Sequence, residues 1–329
     1  MPMKLPMTLS ESVADAIGAT PLVALDRFTA GFSGGLSGRI LAKLDYLNPG
    51  GSKKDRIARQ IIADAIAAGE LKAGQAVVEL TSGNTGTGAA IVCAAQNRPF
   101  IAVMSEGNSK ERAVMMRALG AEVVLVPQAP GSAHGQVSGD DLALLEDKVR
   151  AIVSARGAFR LDQFHHPGNA RAHELHTGPE IWEASQGAIT AFCDFAGTGG
   201  TFAGLERAFR QRNPKIRGYI VEPEAAAALA GHAIQSAAHR IQGGGYAMNP
   251  LPLLAASKVD GFVTVTDQEA MEAARNLARR EGIFAGFSSG ANLAAAIKLL
   301  QGPEKGGTIA IIICDTGLKY LSTELWTRE

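Results

Sequence analysis

Lys53 and Lys54 stand side by side in NPGGSKKDRIARQII (48–62), where the chain enters a segment with helical spacing of apolar residues. Ile57, Ala58, Ile61, Ile62, Ala65 and Ile66 fall on one face, with Arg56, Gln60 and Asp64 on the other. Lys54 precedes Ile57 and Ala58 by three and four residues, so it is carried toward the core. Lys53 extends the polar side and is expected in water. A buried ammonium is costly unless it is paired, loses its proton or is chemically converted. Lys54 can therefore snorkel, pair with Asp55, or lose its charge in a Schiff base.

Three glycine-dense turns supply further chemistry. TSGNTGTG (81–88) follows AVVEL and opens an apolar helix, so its main-chain N–H groups form an anion cradle suited to a carboxylate. Thr81, Ser82, Asn84 and Thr85 add directional polar groups to it. AGTGGTFAG (196–204) follows ITAFCDF, but Phe202 stands where a dinucleotide fingerprint needs its third glycine. Gly197, Thr198, Gly199, Gly200 and Thr201 then form a compact site for one phosphate. Glu222 remains as a possible ribose-binding acid. AGFSSGAN (285–292) has the Gly-x-Ser-x-Gly spacing of a hydrolase elbow around Ser288, yet no histidine follows His239 to act as its base.

Metal chemistry is disfavoured. In HHPGNARAHELH (165–176), His176 comes one residue too early for a zinc-protease helix, and Pro167–Gly168 interrupt the segment. Cys93, Cys193 and Cys314 are scattered through apolar runs, which excludes a disulfide framework and predicts inert core thiols. Lysine plus arginine balance aspartate plus glutamate at 32 each, so no global field points to nucleic acid or an anionic membrane. No apolar run is long enough to span a bilayer, and the N-terminus lacks a signal-peptide core. A cytoplasmic enzyme or binding protein is expected.

The elements that must position these residues alternate. ILAKLD (40–45), AVVEL (76–80), FIAVM (100–104), EVVLV (122–126), ITAFCDF (189–195), GYIVE (218–222), FVTV (262–265) and TIAIIIC (308–314) read as strands, mostly separated by amphipathic helices. That alternation predicts an α/β fold with mainly parallel sheets covered by helices. Thr266 with Glu269 suggests a capping box, and Gly120 and Gly282 stand where helices should end. The Gly- and Pro-rich stretch 127–141 is too long for a plain connection and is expected to be a flap near the site, with a variable surface loop as the alternative. The chain is long enough for two domains.

A lysine at a helix start, a carboxylate cradle, a separate phosphate cradle and a buried serine turn are the parts a pyridoxal phosphate site needs. NPGGSKKDRIA, TSGNTG, GTGGT, TGPEIW (177–182), SSGA (288–291) and YLST (320–323) resemble the cysteine synthase and cystathionine β-synthase family, in its motif order. The resemblance runs from IGATPLV (17–23) nearly to the C-terminus. It implies the two-domain tryptophan synthase β-like fold, fold type II among pyridoxal phosphate enzymes. A smaller mobile domain, 48–160, would carry Lys54 and the TSGNTG loop. The larger one, 1–47 and 161–329, would carry the GTGGT turn and Ser288.

The resemblance also implies roles. Lys54 forms the Schiff base, Asn84 meets the ring hydroxyl, Gly197 to Thr201 hold the phosphate, and Ser288 meets the pyridine nitrogen. Thr81, Ser82, Gly83, Thr85 and Gln163 hold the substrate carboxylate, and Lys53 is a solvated neighbour. The implied reaction is β-replacement on an O-activated L-serine through an α-aminoacrylate, with sulfide or another small nucleophile and no metal. A serine or threonine dehydratase is the nearest alternative, and a nicotinamide oxidoreductase a distant one. Phe287, His165–His166, CDTG (314–317) and the 127–141 stretch depart from the usual pattern, which leaves the leaving group and nucleophile open. Arg240 is a candidate reader of an anionic leaving group. The resemblance suggests a homodimer.

Overall fold

A computed structural model of the chain describes residues 9–32, 35–81, 83–108, 110–130, 139–236 and 239–327. The first half of the chain runs β1 Leu22–Ala24, α1 Asp26–Ala30, β2 Arg39–Lys43, α2 Lys54–Ala67, β3 Val77–Leu80, α3 Asn84–Ala95, β4 Phe100–Ser105, α4 Lys110–Ala118, β5 Glu122–Val126 and α5 Gly139–Arg156. The second half runs β6 Phe159–Arg160, α6 Gly168–Ala172, α7 Gly178–Ala184, β7 Ala191–Phe195, α8 Gly200–Arg212, β8 Arg217–Pro223, β9 Gly261–Val265, α9 Asp267–Glu281, α10 Phe287–Gln301, β10 Thr308–Ile312 and α11 Glu324–Thr327.

Two sheets result. One has the order β1-β2-β10-β7-β8-β9 and the other β5-β4-β3-β6. Every pairing is parallel except β1 with β2. Helices cover both faces, which is why β3, β4 and β7 are buried along their whole length and read as near-continuous apolar runs, interrupted by Glu79 in β3 and Asp194 in β7, rather than alternating ones. This is the α/β architecture with mainly parallel sheets. The short β6 and the antiparallel β1 carry too little apolar pattern to be seen in the sequence.

The helix boundaries follow local chemistry. Thr266 and Glu269 form a complete capping box at the start of α9, and Gly282 ends that helix in the left-handed region at φ 69°. Gly120, at φ 88°, follows α4 in the same way. Helix α3 is built of small residues and is buried on nearly all sides. A Cβ on Gly88 would stand 2.9 Å from Asp55 Cα, so α2 and α3 approach backbone to backbone.

Helix α2 departs from its sequence projection in three ways. Ile66 is 43% exposed rather than part of the apolar face. Arg56, expected on the polar face, is fully buried: its guanidinium bonds Asp45 Oδ1 at 2.9 Å and Glu180 Oε2 at 2.7 Å, and Lys43 Nζ meets the same Glu180 at 2.5 Å. Lys53, expected in water, has an 11%-exposed side chain with Nζ 2.8 Å from Asp194 Oδ1. The polar face of α2 is not a solvent face because Asp45 just beyond β2, Glu180 on α7 and Asp194 on β7 bring carboxylates to it.

Candidate active site

Two adjoining cavities lie between the sheets. The smaller, about 300 Å³, is lined by Lys53, Lys54, Asp194, Phe195, Gly197, Thr198, Gly199, Thr201, Gly243, Ser288 and Cys314. The larger, about 740 Å³, is lined among others by Lys54, Thr81, Asn84, Thr85, Arg112, Gln163, Phe164, Tyr246 and Tyr320. Lys54, Thr198 and Gly243 belong to both, so the Lys54 side chain stands at the passage from one to the other.

The smaller cavity ends on a cradle of main chain. No side chain caps α8, so its first N–H groups are left for a ligand. Gly199 enters the helix at φ 81°, a left-handed turn that favours glycine. A Cβ on Gly197 would come within 2.8 Å of Gly243 O, and one on Gly200 within 2.0 Å of Asn169 Oδ1. The missing side chain of Gly200 thus makes room for Asn169 behind the cradle. The Asn169 amide donates to Thr198 Oγ1 at 2.9 Å and to Gln163 O at 2.7 Å. Behind Thr201, the His173 ring lies 3.3 Å from its hydroxyl and 2.9 Å from Thr177 Oγ1, and burial keeps His173 well below the usual histidine range. Ser288 faces the cavity from the first turn of α10.

The larger cavity carries the polar groups of the α3 turn. Thr81 Oγ1 accepts from the N–H groups of Gly83 at 3.0 Å and Gly86 at 2.9 Å, so this hydroxyl shapes the turn it belongs to. Gly83 holds φ 142° against the Arg112 side chain. Ser82 lies outside the described residues, as does most of the expected 127–141 flap. Gln163 Oε1 accepts from Thr85 Oγ1 at 2.7 Å and from Lys54 Nζ at 3.3 Å, while Gln163 Nε2 donates to Leu80 O at 3.3 Å. Glu79 fixes the Gln163 turn by accepting from the Asp162 N–H at 2.8 Å and the Gln163 N–H at 3.4 Å. Asn84 donates to Asp315 Oδ2 at 2.7 Å and accepts from Lys319 Nζ at 2.6 Å.

Electrostatics single out Lys54. Burial, followed by the charge of Lys53, brings its pKa down to about 8. Its amine is thereby placed to lose its proton closer to neutral pH than an ordinary lysine does.

The structure therefore brings together Lys54, Thr81, Asn84, Thr85, Gln163, Gly197, Thr198, Gly199, Thr201 and Ser288, with Gly83 and Gly200 shaping the turns from behind. Asn169, Asp194, Gly243, Arg112 and Lys319 escaped the sequence reading, which noted Asp315 only as part of CDTG. Only Asp194 left a signal, as the lone charge in an apolar strand. Cys314 lines the smaller cavity as a thiol that burial pushes up to about 11, and Cys93 and Cys193 lie in the core. Arg240 bonds Glu324 and lines neither cavity. Glu222 is taken up by the N–H groups of Leu229 and Ala230. Among the described residues, no three His, Cys, Asp or Glu side chains converge as a metal would require, and no helix is long and apolar enough to cross a membrane.

The family model described as pyridoxal-phosphate dependent enzyme matches residues 13–315. A cysteine synthase of Staphylococcus aureus is 37% identical over 320 residues, covering 97% of this chain and 98% of that protein. Among solved structures, an O-ureido-L-serine synthase superposes with TM-score 0.86 at 36% identity, over 98% of this chain and 96% of that one. An O-acetylserine sulfhydrylase isoform 3 from Entamoeba histolytica superposes with TM-score 0.89 at 32% identity, over 99% and 94% of the two chains.

Proposed function

The chain belongs to the pyridoxal-phosphate dependent enzyme family, and from that premise we propose that it replaces the β-substituent of an O-activated L-serine with a small nucleophile such as sulfide. The residues present fit the cofactor. The α8 cradle is sized and dipole-oriented for one phosphate, and Lys54 offers an amine beside it. Gly197, Thr198, Gly199, Gly200 and Thr201 would hold the phosphate, Lys54 the aldehyde carbon, Asn84 the ring hydroxyl and Ser288 the ring nitrogen. Bound pyridoxal phosphate supplies an aldehyde that links to amines and a conjugated ring that draws electron density from the substrate Cα.

The protein's own groups do the rest. Thr81, Ser82, Gly83, Thr85 and Gln163 would bind the substrate carboxylate, which orients its Cα–H toward Lys54. Lys54 Nζ, lowered to about 8, can take that proton near neutral pH and return it later. A serine hydroxyl at the ring nitrogen does not enforce protonation there as a carboxylate would, which favours prompt loss of the β-substituent over a long-lived carbanion. Closure over the carboxylate excludes water from the reacting centre.

The observation that carries this reading is the position of Lys54 between the cavity that ends on the α8 turn and the cavity lined by Thr81, Asn84, Thr85 and Gln163. Three finer points belong to it. The 48–160 unit is the part that closes. Two copies associate as a homodimer, in keeping with exposed Leu47, Leu318 and Leu321 on segments joined by the bond from Thr316 N to Gly51 O. The enzyme works in the cytoplasm, in keeping with its three free cysteines.

The test is to record the visible spectrum of the purified protein, reduce with borohydride and map the modified peptide. Label at Lys54 is expected, with O-acetyl-, O-ureido- and O-phosphoserine compared as donors. A colourless protein, or a Lys54→Ala variant with undiminished turnover, would sink the reading. Pyruvate and ammonia formed without incorporation of nucleophile would mark a dehydratase instead.

A further inference from the structure

Strand β7 reads Ala191-Phe192-Cys193-Asp194-Phe195, five buried residues of which one is charged. An ionised carboxylate in such a run is costly unless a cation meets it. Lys53 meets it from 141 positions away, with both side chains almost wholly buried. For packing alone, two apolar residues of similar volume would serve as well, because desolvation offsets most of the Coulomb gain of a buried pair. The pair is not in the core, however. It forms part of the wall of the smaller cavity, which Lys54, the next residue in the chain after Lys53, also lines.

On the reading that Lys54 carries the cofactor, we propose that Lys53 and Asp194 are positioning residues that hold a fixed ammonium beside the Lys54 nitrogen and keep that nitrogen working as an unprotonated amine. The charged and titratable groups acting on Lys54 come from several elements: Lys53 at the entry to α2, Asp194 from β7, Cys314 just beyond β10, and Glu79 from β3. His173, between α6 and α7, feels both lysines and is neutral. Burial disfavours the Lys54 ammonium most and Lys53 next, while Asp194, Cys314 and Glu79 act in the opposite sense. Burial also works against the charge on Lys53, but Asp194 and its neighbours outweigh it and hold that ammonium above the ordinary lysine range. The division of labour follows. Asp194 secures the charge on Lys53, and Lys53 repels a charge on Lys54.

Borohydride mapping of the loaded full-length enzyme comes first, since label at another residue overturns the premise rather than the pair. Competitive acetylation of the cofactor-free full-length chain across pH, read by mass spectrometry, then gives a titration midpoint for each lysine. Lys53→Met is expected to raise the Lys54 midpoint by about one pH unit or more, because it removes the repelling charge and leaves Asp194 facing Lys54. Lys53→Arg, which keeps the charge, should restore the wild-type value. Asp194→Asn should lower the midpoint read at Lys53 itself. The Lys53→Met/Asp194→Asn double variant leaves neither charge orphaned, and its Lys54 midpoint should lie above wild type and below Lys53→Met. It decides the matter if a single variant does not fold. An unchanged or lowered Lys54 midpoint in Lys53→Met or in the double variant, or a rise in Lys53→Arg equal to that in Lys53→Met, overturns the proposal.

Discussion

Gly200 opens α8 directly against the Asn169 amide, with no room for a methyl group between them. Alanine at 200 must push Asn169 away, and Asn169 is bonded to both Thr198 and the main chain of Gln163. We expect Gly200→Ala to weaken pyridoxal phosphate binding about tenfold or more, corresponding to roughly 1.4 kcal/mol, as measured by fluorescence titration of the stripped protein. Asn169 itself was invisible in the sequence because its role is to meet a turn that arrives some thirty residues later. Lys54 was legible, since helical spacing carried it inward from its own neighbours. Lys53 was misplaced by the same method. A helical projection describes one helix and knows nothing of Asp194, which another strand delivers to what looks like the wet side.

At the scale of elements, β3 illustrates how a sheet carries a polar duty within an apolar strand. Glu79 is buried in β3 and holds the turn that presents Gln163. Burial pushes its pKa up to about 8, although the two N–H donors and Arg160 oppose this. An acid whose folded pKa is raised holds its proton more tightly when folded. Its contribution to stability is therefore fully present below the unfolded value, near 4.5, and is lost as pH rises toward 8. The lowered histidines, His173 above all, act in the opposite sense below about pH 6.5. The Glu79 part is therefore read as a difference: between about pH 5 and pH 8, urea unfolding should show wild type losing roughly 3 kcal/mol relative to Glu79→Gln. Asp55, pushed up to about 6 by burial, adds a decline of the same sign at lower pH. The strands themselves were readable because a doubly covered parallel sheet writes continuous apolar runs. The two-residue β6, which positions this turn, writes none.

For the whole molecule, the bonds that cross between the sheets decide which parts can move together. Asn84 at the start of α3 reaches Asp315 and Lys319 on the other side, and Lys319 also bonds Gly50 O. If the 48–160 unit closes on the substrate, hydrogen exchange in α3 and α4 should slow on adding O-acetylserine to the loaded enzyme, while β7 to β10 change little. Uniform slowing would remove the closing unit from the account. The two-sheet plan could be anticipated from the alternation of strands and helices, but not these crossing bonds, which join residues more than two hundred positions apart. Helix α2 adds a constraint of its own. Although it lies within 48–160, Arg56 is locked to Asp45 and Glu180, and Lys53 to Asp194, all of them outside that span. The start of α2, and Lys54 with it, is thereby moored to the same frame as the α8 cradle, so if the rest of 48–160 moves, the distance between that amine and the cradle would be kept.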